Sequence, residues 1–406
     1  MAMRKAGKIA SVHLFCFLLS CTGALAQAGD DTAPNPLYSQ PAQYDFSHNP
    51  ALLKRILASP HGYFRFINIP FSQEICRRSG PLLRGTPAFN LHGDAHIEQY
   101  AITDLGRGLT DFDDSSSGPA VIDLMRFGVS LHLACRENGW CEHAEQLYGT
   151  FLRGYRAALM DPATEAPIPS LVARIKTRFK FNREKYFAWV QSIMEPMPDA
   201  EQENLVAAMQ PYIETIRLDK PNLAADFFGI KQVGYLKLGI GSARDRKFLV
   251  RIEGESNDAL DDVVLEVKQV RDLSAIDCIT ISQKNDPFRV LIGQARIAYE
   301  PYRFLGYLWL DDMSFWVHSW VDNYREIEIE ESFHSLEEMA EIAFDVGVQL
   351  GRGHTNQIAA PLDVQLRREQ IRFLDHYEAE IIESCTELTD LTIAAWEKFC
   401  KRVEAK

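Results

Sequence analysis

The chain has 406 residues, 46% of them hydrophobic and 24% charged, and 43 Lys and Arg against 56 Asp and Glu give a formal net charge of −13. This composition excludes a disordered or low-complexity polypeptide and leaves room for two lobes. The acidic balance argues against nucleic acid, whose capture depends on neutralising phosphates, and no interior stretch approaches the roughly 18 apolar residues that span a bilayer.

Residues 1–26 read as an export address. Arg4, Lys5 and Lys8 form a basic start, residues 9–19 an apolar core, and Ala24-Leu25-Ala26 a small-residue cleavage site. Leu18-Leu19-Ser20-Cys21 also fits a bacterial lipobox, which would place a lipid anchor on Cys21. Either route implies a periplasmic or envelope-attached bacterial protein. Past residue 26 the cysteines are Cys76, Cys135, Cys141, Cys278, Cys385 and Cys400. Without a CxxC pair they spell neither a zinc knuckle nor a thioredoxin-type site. They read as buried free thiols, with Cys135 and Cys141 the nearest pair should a bridge form.

Residues 27–47 are polar, hold three prolines and read as a linker. Residues 49–79 read as a short helix followed by an aromatic stretch. A short strand over 88–91 runs into His92-Gly93-Asp94, and a second over 109–114 ends in acids. Apolar positions three and four apart predict helices over 120–134 and 143–159, followed by 170–190 and 199–216. Alternation and β-branched residues then predict strands over 235–239, 247–253 and 263–270. A helix over 287–299, strands over 304–310 and 315–321, and helix from 335 onward complete the pattern. The expected fold is a two-lobe α+β domain. Its sheet-rich lobe, 232–322, is flanked by the helical segments 48–231 and 323–406, which together make the other lobe.

Two groups of residues carry chemistry. The first is His92-Gly93-Asp94-Ala95-His96-Ile97-Glu98-Gln99 with Asp111-Phe112-Asp113-Asp114. Acids crowded at strand ends need a cation or a proton between them. A loop Asp, a carboxamide five positions later and a further strand-end Asp follow the order used by protein kinases. In that chemistry Asp94 orients an acceptor hydroxyl, while Gln99 and Asp111 hold Mg2+ with Asp113 as a further acid of the metal site. His96 would bond the loop or touch the transferred phosphate. His92 and Asp123 would brace the loop, Asp123 from the start of the helix after Gly118-Pro119.

The second group is Leu238-Gly239-Ile240-Gly241-Ser242 with Val267-Lys268. A GxG turn between strands brings backbone N–H groups to a phosphate, which makes Gly239, Gly241 and Ser242 nucleotide-binding candidates. On the following strand Val263, Leu265 and Val267 share one face, and Glu266 and Lys268 the other. Lys268 sits where a kinase small lobe keeps its phosphate-gripping lysine.

These stretches resemble a bacterial family catalogued as domain of unknown function 2252. The resemblance lies in HGDAH, TDFDD, GP and DL across residues 91–124, the GIGSxxDR hairpin and the LEVKQ strand. It continues in Gly293-Gln294 with Phe304-Leu305-Gly306 and in Gly351-Arg352-Gly353-His354, over most of residues 48–360. The family is similar in turn to aminoglycoside and choline phosphotransferases of the kinase-like superfamily. The resemblance implies a kinase-like fold with circularly permuted motif order, since Asp94 and Asp111 precede Lys268. It implies Mg2+ and ATP as cofactors and a hydroxyl of a small molecule, glycan or protein as acceptor. Gln99 departs from the family's metal-binding Asn, and Arg244 stands in place of a third Gly. The alternatives are an exported pseudokinase-like binding protein or envelope lipoprotein without catalysis, and a metal-dependent phosphohydrolase. The last should carry GNHE-like and GHxH-like segments, which the sequence lacks.

Overall fold

Proline and polar caps divide the first helical stretch into three. α1 (Pro50–Ala58) starts where the Asn49 side chain accepts from Leu52 N, and α2 (Pro60–Phe66) where Ser59 accepts from Gly62 N. α3 (Asn68–Ser79) follows at once. Each start places proline at the first turn or an oxygen on an orphan amide, as helix N-termini require. The computed structural model describes residues 34–405 except 48, 81, 84–85 and 237–244. The stretch expected to be an export segment, with Cys21, and Gly239, Gly241, Ser242 and Arg244, lie outside the described residues.

Short strands β1 (Phe89–Leu91), β2 (Tyr100–Thr103), β3 (Arg107–Leu109) and β4 (Ser116–Gly118) carry the loops of interest. Helices α4 (Val121–Glu137) and α5 (Ala144–Met160) match the expected pair. The helix expected over 170–190 is two, α6 (Ser170–Lys176) and α7 (Arg183–Ile193), because Asn182 caps a new start on Lys185 N. There follow β5 (Met194–Glu195), α8 (Asp199–Asp219), β6 (Ile230–Leu236), β7 (Lys247–Ile252) and β8 (Val263–Gln269). The remaining elements are α9 (Phe288–Ile297), β9 (Gly306–Leu310), β10 (Met313–Ser319), β11 (Tyr324–Glu326), α10 (Ile329–Ser332), α11 (Leu336–Gly353) and α12 (Leu362–Glu404).

Six strands form an antiparallel sheet in the order β5-β6-β7-β8-β10-β9, so the fold is mixed α+β. One face carries Phe248, Val250, Leu265, Val267, Phe315 and Val317, and packs against Leu205, Met209, Tyr212 and Ile216 of α8. The opposite face carries Lys247, Glu266, Lys268, Trp316 and His318, since cross-strand partners share a face. A separate, larger core joins α2, α4, α5, α11 and α12 through residues such as Phe64, Phe127, Phe151, Val346 and Cys385. There α5 and α11 approach so closely that a Cβ on Gly347 would lie 2.1 Å from Phe151 O. β1 pairs with β4, and β11, β2 and β3 form a third sheet beside this core.

Two expectations change. Cys76 and Cys278 form a disulfide across a separation of 202 residues, so the thiols are not all free. Cys135 is a buried free thiol, and no Cys135–Cys141 bridge exists. Part of the stretch read as a linker is packed: Leu37 is fully buried and its carbonyl accepts from Tyr63 Oη at 2.8 Å. Trp309 is exposed, whereas Trp316 is buried. Among the described residues, no helix is long and apolar enough to cross a membrane.

Candidate functional site

The loop after β1 is set by its glycine. Gly93 has φ +81°, and a Cβ there would lie 2.0 Å from Asp114 O. Glycine alone tolerates that backbone at that distance. Asp123, in the first turn of α4, accepts from His92 N at 2.7 Å and Gly93 N at 2.8 Å. His354 Nε2 lies 3.1 Å from the same carboxylate, and Tyr155 Oη lies 2.8 Å from His354 Nδ1. The His92 ring reaches Thr110 O at 3.0 Å. The loop is therefore tied to α4, α5, the end of α11 and the strand-end segment at Thr110.

Asp94 is nearly buried. Its Oδ1 accepts from Arg126 Nε at 2.6 Å, and Arg126 has no exposure and lies with its guanidinium carbon 4.2 Å from the Phe64 ring centroid. Oδ2 faces Gln99 Nε2 at 3.4 Å and His96 Nε2 at 3.8 Å. Burial pushes the Asp94 pKa up and Arg126 pulls it back, with the upward direction prevailing. His96 is fully buried with neither ring nitrogen hydrogen-bonded. Burial and then the neighbouring cations push its pKa well down, so the ring is neutral.

The strand expected over 109–114 stops at Leu109, because Asp111 adopts φ +58° and turns the chain. This left-handed conformation is costly for a non-glycine residue and is held by its surroundings. Lys268 Nζ donates to Asp111 Oδ1 at 2.8 Å and also meets Asp113 Oδ2. The other Asp113 oxygen accepts from Trp316 Nε1 at 2.8 Å. Burial, and then the charge of Asp111, pushes the Asp113 carboxyl up to about 8. For Asp111 burial acts upward, but Lys268 more than offsets it and holds the group well below its ordinary value. Both carboxylates raise the Lys268 ammonium despite its burial. Lys268 thus joins the sheet to the loop after β3.

Three arginines that the motif reading does not single out complete the site. Arg271 donates to both oxygens of Asp114, at 2.6 and 2.8 Å, and to Asp245 at 3.2 Å. Arg289 of α9 donates to Ser115 O at 2.9 Å and to Arg271 O at 2.6 Å. Arg126 is the third. Their signal in the sequence is weak, because arginines on helices and strands are ordinarily exposed. On the same sheet face Glu266 accepts from Trp320 Nε1 at 2.8 Å and lies 3.2 Å from His318 Nε2. Burial raises the Glu266 pKa, but His318 and the nearby lysines bring it down to about 2. Tyr302, His318 and Trp316 stack in series at 4.5 Å between successive ring centroids.

Asp94, His96, Gln99, Asp111, Asp113 and Lys268 thus occupy one region, with His92 and Asp123 behind the Asp94 loop. Among the described residues, no group of three or more His, Cys, Asp and Glu is arranged to hold a metal ion. Asp111, half-buried, and the Gln99 amide are oxygen donors of the kind hard divalent cations take. Asp113, by contrast, is engaged at both oxygens. No curated protein and no solved structure matches the chain. The family described as an uncharacterized protein conserved in bacteria (DUF2252) matches residues 48–195 and 166–402, and the chain belongs to that family.

Proposed function

We propose that this chain is a kinase-like phosphotransferase of circularly permuted motif order, moving a phosphoryl group from Mg-ATP to a hydroxyl of a small molecule, glycan or protein. The observation that carries the reading is the bond of Lys268 Nζ to Asp111 Oδ1 at 2.8 Å. It joins a sheet lysine to a strand-end aspartate, beside a loop aspartate with a carboxamide in reach. Phosphoryl transfer asks the protein mainly for positioning and charge. Mg2+, when bound with the nucleotide, would neutralise charge across its phosphates, and Asp111 and Gln99 are the residues to hold it. Lys268 would grip the phosphates; Gly239, Gly241 and Ser242, the other nucleotide-binding candidates, lie outside the described residues.

Asp94 Oδ2, the oxygen not bonded by Arg126, would take the acceptor's proton. The acceptor oxygen forms its bond to phosphorus as the bond to the leaving phosphate breaks. A raised carboxylate pKa suits a general base. In kinases a helix glutamate pairs with the sheet lysine; here Asp111 and Asp113 take the lysine.

A second reading, a binding protein without catalysis, is favoured by Asp94 itself. It is 6% exposed and fastened to a buried arginine. Either protein would work outside the cytoplasm. The basic-apolar start of the sequence supports export, and so does the Cys76–Cys278 disulfide, since such bonds persist in oxidising compartments.

The test is incubation of wild type, Asp94→Asn and Asp111→Asn with Mg2+ and γ-labelled ATP. The proposal expects label to leave ATP with wild type and turnover to fall at least 100-fold in both variants. Wild type that binds ATP without consuming it would leave the non-catalytic reading. Wild type that neither binds nor consumes ATP would end both readings as nucleotide proteins.

A further inference from the structure

The six-stranded sheet ends in two unlike edges, β5 and β9. β5 is only two residues long, and a short edge resists pairing with another chain. β9 presents Gly306-Tyr307-Leu308-Trp309-Leu310, paired to β10 without a bulge and carrying neither a charge nor a proline. Those are the devices that ordinarily blunt an exposed edge.

The register fixes which backbone groups face outward. Asp311 and Asp312, at φ +53° and +60°, make a two-residue turn that sets Leu310 opposite Met313. The pair flanking such a turn exchanges both hydrogen bonds, and bonded pairs then alternate along the ladder. Leu310, Leu308 and Gly306 therefore bond to β10, whereas the N–H and C=O groups of Tyr307 and Trp309 point away from it. Ser314, the residue opposite Trp309, accordingly accepts on its other side, from Val270 N at 2.9 Å. Among the described residues, nothing bonds the outward backbone groups of Tyr307 and Trp309. The side chains around them are apolar and open. Trp309 is 47% exposed, and Phe288 and Ile292, one turn apart on α9, are 51% and 43% exposed. The Phe288 and Tyr307 ring centroids lie 4.9 Å apart.

We propose that β9 pairs antiparallel with β9 of a second copy of this chain, joining two sheets edge to edge across a two-fold axis. With Leu308 opposite Leu308, Tyr307 of each copy lies opposite Trp309 of the other. Both residues present outward groups, so each such pair exchanges two backbone bonds, and their aromatic side chains meet on one face. The edge is complementary to itself in charge as well. Asp312 is exposed at the tip after β9, and Arg303 is exposed just before its start. Antiparallel pairing brings the acidic tip of each copy to the Arg303 end of the other. The contact uses the same patch on both copies and closes at two.

The test is the mass of the full chain by size-exclusion chromatography with light scattering over a wide range of concentration. Melting temperature is the control for folding. Wild type should run as two chains and fall toward one on dilution. Trp309→Lys, which sets a charge opposite Tyr307, and Trp309→Pro, which removes an outward N–H, should each run as one chain. Arg303→Glu should raise the dissociation constant at least tenfold, about 1.4 kcal/mol. It carries the expectation alone should neither Trp309 variant fold. Met160→Lys, at a residue 70% exposed on α5, should leave the pair intact. A wild type of one chain at every concentration would overturn the proposal and leave the β9 edge to some other partner. A pair that survives both Trp309 variants, or Arg303→Glu where they do not fold, would place the contact elsewhere and overturn it too. So would growth beyond two chains.

Discussion

Asp123 and His354 lie 3.1 Å apart, 231 residues from one another in sequence, and neither side chain has any exposure. The same carboxylate holds two backbone amides of the Asp94 loop. Burial alone would raise the Asp123 pKa, but His354, His92 and the Gly93 amide hold it below the ordinary range. Removing one member of a buried pair strands the other, at a cost of about 3–5 kcal/mol. Asp123→Ala should therefore lower urea-denaturation stability by about that much. A loss below about 1 kcal/mol would show that the loop is held by something else.

Asp94 and Arg126 form a second such pair. Each single neutral variant, Asp94→Asn or Arg126→Met, should destabilise by about 3–5 kcal/mol, and the double variant by much less than the sum. Additive losses in that cycle would deny the coupling. If Asp94 works as a base, Asp94→Asn also loses turnover, which a stability effect alone does not explain once the variant is assayed well below its melting temperature.

Acid should weaken the fold through specific glutamates. Burial raises Glu98, but His61 and Arg65 bring it down to about 2, and Glu266 is likewise brought to about 2 by His318. A depressed carboxylate pKa contributes stability that is complete above the unfolded value and lost as pH falls through the folded one. Melting temperature should therefore drop between about pH 4.5 and about pH 2. The gap between wild type and Glu98→Gln should close over the same window. A gap that stays constant down to the lowest pH would remove Glu98 from this role.

The Cys76–Cys278 bridge ties α3 to the segment between β8 and α9, the segment that also holds Arg271. A cross-link of this span restricts the unfolded chain, and native disulfides typically contribute about 2–4 kcal/mol. Cys76→Ser should lower the denaturation midpoint accordingly. An unchanged midpoint in this variant would mean that packing alone fixes this segment.

Much of the sheet was legible because alternation reports a half-buried strand directly. Val263, Leu265 and Val267 face the α8 side, and Glu266 and Lys268 the other, as period-two reading requires. The grouping of Asp94 with Gln99 followed from motif order, whereas the bond of Lys268 to Asp111 joins two motifs that the sequence keeps apart. What stayed hidden depended on contacts across long separations. Nothing local marks Cys278 as the partner of Cys76, or His354 as the partner of Asp123. Arg126 sits on a helix whose composition gives no hint that a guanidinium lies beneath two aromatic rings. The expected strand over 109–114 failed at Asp111, where a left-handed backbone is imposed by the site and not by propensity.

The central claim is a phosphate-donor site built around Lys268. Its most direct test is a melting scan of wild type and Lys268→Ala with and without Mg-ATP. Ligand at 100 times its Kd stabilises the folded state by about 2.7 kcal/mol. The account predicts a clear upward shift in wild type and none in Lys268→Ala. A folded wild-type protein whose melting temperature does not move with saturating Mg-ATP, or a shift that persists in Lys268→Ala, would contradict it.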